Sequence, residues 1–227
     1  MKIGILQTGL VPTELVDETG EYHAFFERML EGRGFTFAHW SVVEDIFPHG
    51  PEAADGWLIT GSRHGAYEDL PWIARLENLI RAIYGTGKPL IGVCFGHQII
   101  AQALGGRVEK FEGGWNIGRR TYSMDGRDIA LHAWHQDQVL VAPEDAKTIA
   151  SNASCAHAAL IYGTKAFTVQ PHPEYGADYL DGLIRFRGTG IIPDDQLAEA
   201  KANLGKPVDN AVFADQFTQF FKTGSIS

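Results

Sequence analysis

The sequence predicts an α/β fold, with an open, mostly parallel sheet flanked by helices and a small antiparallel extension. Three observations support this prediction. Short apolar runs alternate with amphipathic stretches through the first half of the chain, which is typical of parallel strands joined by helices. Between residues 107 and 170 the strand-like runs follow one another with few helical patterns, which favours antiparallel pairing. The tail then returns to helical patterns.

The individual elements follow from the spacing of apolar residues. Apolar runs predict strands at residues 2–6, 35–40, 56–60, 89–93, 107–111, 120–124, 129–133, 148–152, 159–162 and 166–169. Helical spacing predicts helices at residues 21–30, 71–83, 98–104, 179–187, 194–204 and 211–222. No repeat, low-complexity segment or linker divides the chain, so residues 1–227 are predicted to form one domain.

Composition argues against several classes of protein. The net charge of −9, with Lys and Arg scattered along the chain, argues against nucleic acid as a main partner. No stretch approaches the roughly 20 apolar residues of a membrane helix. Gln7, Thr8 and Pro12 interrupt the first apolar run too early for a signal peptide. The two cysteines, Cys94 and Cys155, make no disulfide framework, so we expect a reducing, cytoplasmic compartment.

The most informative segment is Gly92-Val93-Cys94-Phe95-Gly96, between a predicted strand and a predicted helix. It has the glycine–x–nucleophile–x–glycine pattern of a strand–turn–helix elbow, with Cys in place of Ser. The glycines are expected because a side chain at either position would crowd so sharp a turn. The following helix presents its positive N-terminal end to the sulfur, which favours the thiolate. A buried structural cysteine is the alternative interpretation.

A cysteine nucleophile needs a base, and the best candidate among nine histidines is His172. It follows the strand at 166–169, at the sheet edge where sites gather. Flanking prolines favour an extended backbone, so Glu174 should face the same way and orient the imidazole. His97, one helical turn after Cys94, is interpreted as a packing residue. A zinc site is not expected there because no second cysteine pair has ligand spacing.

The run Gly92–Val93–Cys94–Phe95–Gly96–His97–Gln98 resembles the nucleophile motif of class I glutamine amidotransferases. The segment from Gln170 to Glu174 resembles that family's second motif, with Pro171 where phenylalanine is usual. The resemblance extends from about Leu58 to Glu174. It implies the flavodoxin-like fold of the class I glutaminases.

Carried over position by position, the resemblance implies a triad of Cys94, His172 and Glu174. Gly61 and Phe95 would supply the backbone N–H groups of an oxyanion hole, with Ser62 where the family often has a second glycine. Gln98 matches a family residue that holds the amino-acid end of the substrate. The family segment at residues 135–139 lines the pocket, so Trp134 is expected near the substrate.

The implied reaction is hydrolysis of the γ-amide of glutamine through a γ-glutamyl thioester, with no metal or organic cofactor. The ammonia would serve an unidentified synthetase subunit. Two alternatives stay open at this point. The chain also resembles stand-alone γ-glutamyl peptidases of the same superfamily, which release a larger amine. A non-catalytic regulatory subunit is the other, although Cys94, His172 and Glu174 are all present.

Overall fold

The computed structural model describes residues 1–226 of the 227-residue chain. The strands in that range are β1 (Lys2–Gln7), β2 (Thr36–Ser41), β3 (Gly56–Ile59), β4 (Leu90–Val93), β5 (Arg107–Lys110), β6 (Asn116–Met124), β7 (Arg127–His135), β8 (Asp137–Val141), β9 (Lys147–Asn152), β10 (Cys155–Tyr162) and β11 (Ala166–Val169). The α-helices are α1 (Val16–Thr19), α2 (Tyr22–Met29), α3 (Pro71–Thr86), α4 (Phe95–Ala103), α5 (Ala177–Leu183), α6 (Asp194–Ala202) and α7 (Asn210–Thr223).

Nine of these strands form one mixed sheet in the order β2-β1-β3-β4-β11-β10-β9-β6-β7. The first five are parallel to one another, and the last four continue the sheet by antiparallel pairing. Every residue of β3, β4 and β11 is buried, as expected of parallel strands covered on both faces. The predicted fold class is therefore confirmed, including the antiparallel extension.

The two faces of the sheet carry separate apolar clusters, because successive side chains in a strand point to opposite sides. Trp57 and Ile59 pack with α3 and α4 on one face. Leu58, between them, packs on the other face with Phe26 of α2 and Phe217 of α7. In residues 1–226, no helix is both long enough and apolar enough to cross a bilayer.

Three local predictions need correction. The sequence did not predict β8, which pairs with β5 in a separate two-stranded sheet, because its short run gains its strand character from that distant partner. The helix predicted at residues 98–104 begins earlier, at Phe95, directly after Cys94. The helix predicted at 179–187 is α-helical only to Leu183 and continues as a π-helical turn over Ile184–Gly188.

The fold places the candidate residues at the carboxyl edge of the parallel strands. Gly61 follows β3, Cys94 follows β4 and His172 follows β11, and these three strands are neighbours in the order β3-β4-β11. In open α/β sheets, ligands bind in the crevice outside this edge.

Candidate active site

Cys94 lies in a strained turn between β4 and α4. Its backbone has φ 53° and ψ −104°, outside the regions that non-glycine residues usually adopt. The Cys94 N–H donates to the carbonyl of Val169 at 2.9 Å, and the Gly96 N–H donates to the carbonyl of Thr60 at 3.1 Å. The turn is therefore bonded to the end of β11 and to the residue after β3, and these hydrogen bonds hold the strained conformation.

The flanking glycines are required by space. A Cβ atom added to Gly92 would lie 2.5 Å from the carbonyl oxygen of Gly96. A Cβ atom on Gly96 would lie 2.3 Å from the carbonyl oxygen of Ile59. Both contacts are with backbone, which cannot move aside as a flexible side chain could. The expected crowding of the turn is confirmed.

His172 and Glu174 form a buried pair. The Nδ1 atom of His172 lies 2.7 Å from Oε1 of Glu174, and the two side chains are 2% and 1% exposed. The backbone N–H of His172 donates to the carbonyl of His132 at 2.8 Å, which fixes the segment beside β7. Cys94 lies beside the same imidazole, because a Cβ atom built on Gly61 would lie 3.0 Å from Cε1 of His172 and 3.7 Å from Cβ of Cys94. The three residues that the sequence analysis selected therefore lie together.

The electrostatics of the pair favour the imidazolium. Burial acts to lower the pKa of His172, but attraction to Glu174 and Cys94, together with the hydrogen bond to Glu174, outweighs burial and raises it. Burial, together with the charge of His172, lowers the pKa of His132 to about 4 and that of His135 to about 3. His172 is therefore the histidine placed to carry a proton next to Cys94.

Tyr175 fixes the ring plane of His172. The two rings are stacked with centroids 3.9 Å apart and an interplanar angle of 4°. Tyr175 is packed in turn against Phe25 and Tyr179, and the Tyr179 hydroxyl donates to the Tyr22 hydroxyl at 3.1 Å. Sequence reasoning missed Tyr175. The available signal was an aromatic residue directly after the candidate acid.

Gly61 and Phe95 lie on two sides of Cys94. A Cβ atom on Gly61 would lie 3.0 Å from Cε1 of His172 and 3.7 Å from Cβ of Cys94. The Gly61 backbone is therefore next to both His172 and Cys94. Phe95 is the first residue of α4, and the first N–H groups of a helix have no acceptor within the helix. Ser62 lines the adjoining cavity, and its Oγ accepts the His64 N–H at 3.1 Å.

Cys94 and His172 open into a cavity of about 470 Å³. Gln98 and Trp134, the two residues expected near the substrate, also line it. The Gln98 side-chain amide donates to the Asp137 carbonyl at 2.8 Å and to Oε1 of Gln170 at 3.1 Å, so both of its N–H groups bond to protein. Other lining residues include Leu10, Tyr22, Arg63, Tyr67, Lys110, Trp115, Arg187 and Ile191.

The rival histidine, His97, is a packing residue in this structure. It is fully buried, and its Nδ1 atom lies 2.8 Å from Oγ1 of Thr168. Burial, with a contribution from His157, lowers the pKa of His97 to about 3, which keeps the ring neutral. Within residues 1–226, the one group of side chains arranged to hold a metal ion is His23, Glu27 and His39, none of which lines the cavity.

Tyr67 faces the same cavity and was not selected from the sequence, whereas Asp137 belongs to the segment 135–139 that the resemblance placed there. The Tyr67 hydroxyl donates to Oδ1 of Asp137 at 3.1 Å. Burial, together with the Asp137 charge, raises the pKa of Tyr67 to about 12. The two residues come from a loop after β3 and from β8, so only the fold brings them together.

Comparison with known proteins agrees with this geometry. A sequence model described as glutamine amidotransferase class-I matches residues 22–187, beyond the stretch from Leu58 to Glu174 that carried the resemblance. Gamma-glutamyl peptidase 4 of Arabidopsis thaliana is 32% identical over 82% of this chain and 81% of its own. A glutamine-hydrolyzing GMP synthase of Aeropyrum pernix is 30% identical over 62% of this chain and 30% of its own.

A solved structure is similar over nearly the whole length. The chain has a TM-score of 0.82 to a glutamine amido transferase from Methylobacillus flagellatus, covering 99% of this chain and 95% of that one. The two sequences are 20% identical, so this likeness concerns the fold.

Proposed function

The chain belongs to the class I glutamine amidotransferase family, and on that premise we propose that it hydrolyses a γ-glutamyl amide with Cys94 as the nucleophile. The observation that carries the proposal is the arrangement of Cys94, His172 and Glu174 at the wall of one cavity. This is the nucleophile, base and orienting acid of a covalent hydrolase. The same arrangement argues against a non-catalytic regulatory subunit.

In the first half of the reaction, the Cys94 thiolate attacks the γ-carbonyl carbon and a C–S bond forms. The carbonyl oxygen becomes an oxyanion, stabilised by the backbone N–H groups of Gly61 and Phe95. The C–N bond then breaks as the oxyanion collapses. Because Glu174 holds Nδ1 of His172, the proton for the departing amine comes from Nε2.

In the second half, His172 is neutral and removes a proton from water. The resulting hydroxide attacks the γ-glutamyl thioester, and the C–S bond breaks to release glutamate. The thiolate of Cys94 and the imidazolium of His172 are restored together. Glu174 stabilises the imidazolium of the resting enzyme, which is consistent with its effect on the pKa of His172.

For the leaving group, we propose an amine larger than ammonia, so that the substrate is a γ-glutamyl peptide or conjugate. The cavity of about 470 Å³ is within the range of about 300–1,000 Å³ that holds small-molecule ligands. Its lining continues from Cys94 to two tryptophans and to basic groups, Trp115, Trp134, Lys110 and Arg187. These side chains suit the apolar and carboxylate parts of a peptide. The Arabidopsis relative is named a gamma-glutamyl peptidase.

Glutamine is the second candidate substrate, with ammonia as the leaving group. The Aeropyrum pernix relative, a glutamine-hydrolyzing GMP synthase, favours this candidate. Ammonia released in this way would require an acceptor, and a separate synthetase subunit is the proposed partner. We propose no nucleic-acid partner, because Lys and Arg are scattered along the sequence and form no basic patch.

The experiment that tests the proposal measures glutamate release from a γ-glutamyl dipeptide and from glutamine, each offered to the purified chain. Cys94→Ala is the inactive variant, and Cys155→Ala is the matched control because Cys155 is the other cysteine of the chain. We expect release from the dipeptide at the higher kcat/KM, abolished only by Cys94→Ala. A higher kcat/KM on glutamine would favour the ammonia-supplying function. Release that survives Cys94→Ala would contradict both.

A further inference from the structure

A second cluster of chemically active side chains lies on the outer face of α2 and β2. His23 and Glu27 are four residues apart in α2 and so share one side of the helix. His39 belongs to β2, the edge strand of the main sheet. One nitrogen of each imidazole and one carboxylate oxygen of Glu27 all lie within 4.8 Å of one another. The two imidazole rings are stacked, with centroids 3.7 Å apart.

Gln7 determines which nitrogen of His23 is available. The Gln7 amide nitrogen donates to the Glu21 carboxylate at 3.3 Å, so its carbonyl oxygen Oε1 faces His23. Oε1 accepts the His23 backbone N–H at 3.3 Å and lies 2.8 Å from Nδ1. Because Oε1 is an acceptor, Nδ1 carries the proton and Nε2 keeps its lone pair. Such an outer hydrogen bond is typical of histidines that bind metals.

The charges around the cluster include two carboxylates. Glu27 belongs to the cluster itself, and the Glu21 carboxylate accepts the amide of Gln7, whose carbonyl oxygen contacts His23. The guanidinium of Arg28 opposes these negative charges. A divalent cation held by the two imidazoles would be attracted by the carboxylates.

We propose that His23, Glu27 and His39 bind a zinc ion. Two imidazoles and one carboxylate form a known type of three-ligand zinc site, in which water takes the fourth position. Imidazole suits zinc better than it suits magnesium or calcium. With bonds of about 2.0–2.1 Å, a tetrahedral site needs ligand atoms about 3.3 Å apart. His39 is exposed and Glu27 is half-buried, so rotation of their side chains can close the remaining gap.

The zinc site would connect α2 to β2 next to the active-site cavity. Tyr22, the residue before His23, lines that cavity. Glu21, which is bonded to Gln7, also accepts the Val11 N–H at 3.0 Å, and Leu10 and Pro12 line the cavity on either side of Val11. The site therefore stabilises the wall formed by these segments. The inference does not depend on the reaction proposed for Cys94.

The test uses an untagged Cys94→Ala chain, because the thiolate and imidazole of the active site could themselves bind zinc. Isothermal titration calorimetry with zinc chloride measures the stoichiometry and affinity of zinc binding, and thermal unfolding measures how far zinc stabilises the chain. The ligand variants are His39→Ala, which changes an exposed residue, and Glu27→Gln, which keeps the side-chain size. The matched control is His49→Ala, an exposed histidine outside the cluster.

We expect one zinc ion per chain and a rise in Tm on zinc addition, both unchanged by His49→Ala. His39→Ala and Glu27→Gln should each weaken zinc binding by tenfold or more, and His39→Ala should remove the rise in Tm. Absence of saturable binding by the Cys94→Ala chain would overturn the proposal. Binding that is equally tight in folded His39→Ala and Glu27→Gln variants would overturn it as well.

Discussion

Two replacements of Glu174 distinguish the contribution of its charge to activity from the contribution of its hydrogen bond to His172. Glu174→Ala removes both, whereas Glu174→Gln keeps an acceptor for Nδ1 of His172 and removes the charge. The lost bond is 2.7 Å long, and the two side chains that it joins are 2% and 1% exposed. A hydrogen bond to a charged group contributes about 1.5–3 kcal/mol. At about 1.4 kcal/mol per factor of ten, Glu174→Ala should lower kcat/KM by about 10–150-fold.

Glu174→Gln should lose less activity than Glu174→Ala. A neutral hydrogen bond still contributes about 0.5–1.5 kcal/mol, so the loss relative to the charged bond is about 1–1.5 kcal/mol. Glu174→Gln should therefore lower kcat/KM by about 5–12-fold. The introduced amide N–H group occupies the place of Oε2, which has no hydrogen-bond partner within residues 1–226. Because Oε2 is buried, the new N–H group gains no acceptor there among the described residues, which should cost about 1–3 kcal/mol of stability. Thermal unfolding is therefore measured beside the kinetics to show that the variant is folded.

The pH dependence of kcat/KM shows whether the charge of Glu174 raises the pKa of His172. Glu174 raises the pKa of His172, and the imidazolium is the acid that protonates the leaving amine. Activity is lost as the pH rises through that pKa. Without the carboxylate charge the pKa falls, so the alkaline limb of kcat/KM should move to lower pH in both variants. The assay is glutamate release across pH, with thermal unfolding as the control for folding.

Two results would refute this reasoning. An alkaline limb that stays in place in Glu174→Gln would mean that the carboxylate does not stabilise the imidazolium. A loss in Glu174→Ala as complete as that in Cys94→Ala would mean that Glu174 does more than orient and charge-stabilise His172.

Two further predictions concern the elbow and the cysteines. Gly96→Ala should destabilise the fold by about 1–3 kcal/mol or more, because its Cβ would lie 2.3 Å from the Ile59 carbonyl oxygen, and denaturant unfolding measures this; unchanged stability would contradict the elbow geometry. Iodoacetamide should alkylate Cys94 and leave Cys155 unmodified in the native protein. Both cysteines are buried, but Cys94 lines the cavity, whereas burial raises the pKa of Cys155 to about 12. Peptide mass mapping distinguishes the two, and alkylation of Cys155 first would be the contrary result.

Much of the fold was predictable because its signals are local. The strand at residues 166–169 matches β11, whose four residues are all buried and apolar or nearly so. The crowded glycines of the elbow follow from the motif Gly92 to Gly96 alone. In contrast, β8 was missed because it begins with Asp137, a residue type depleted in strands, and it pairs with β5 outside the main sheet.

The candidate site was predictable only where its residues share a motif. Cys94, His172 and Glu174 were selected from two short segments, and the fold brings those segments together. Tyr175 and Tyr67 were not selected, because their roles depend on which surfaces meet. The cluster of His23 and His39 was missed for the same reason, since a helix and a strand must pack before the two rings touch.

The central claim is that Cys94 forms a covalent γ-glutamyl intermediate, and intact-protein mass spectrometry of a rapidly acid-quenched reaction tests it most directly. We predict an adduct with the mass of one γ-glutamyl group, located on Cys94 by peptide mapping and absent from Cys94→Ala. It should form from the dipeptide and disappear as glutamate accumulates. Glutamate released with no adduct at any quench time, or by Cys94→Ala at the parent rate, would contradict the account.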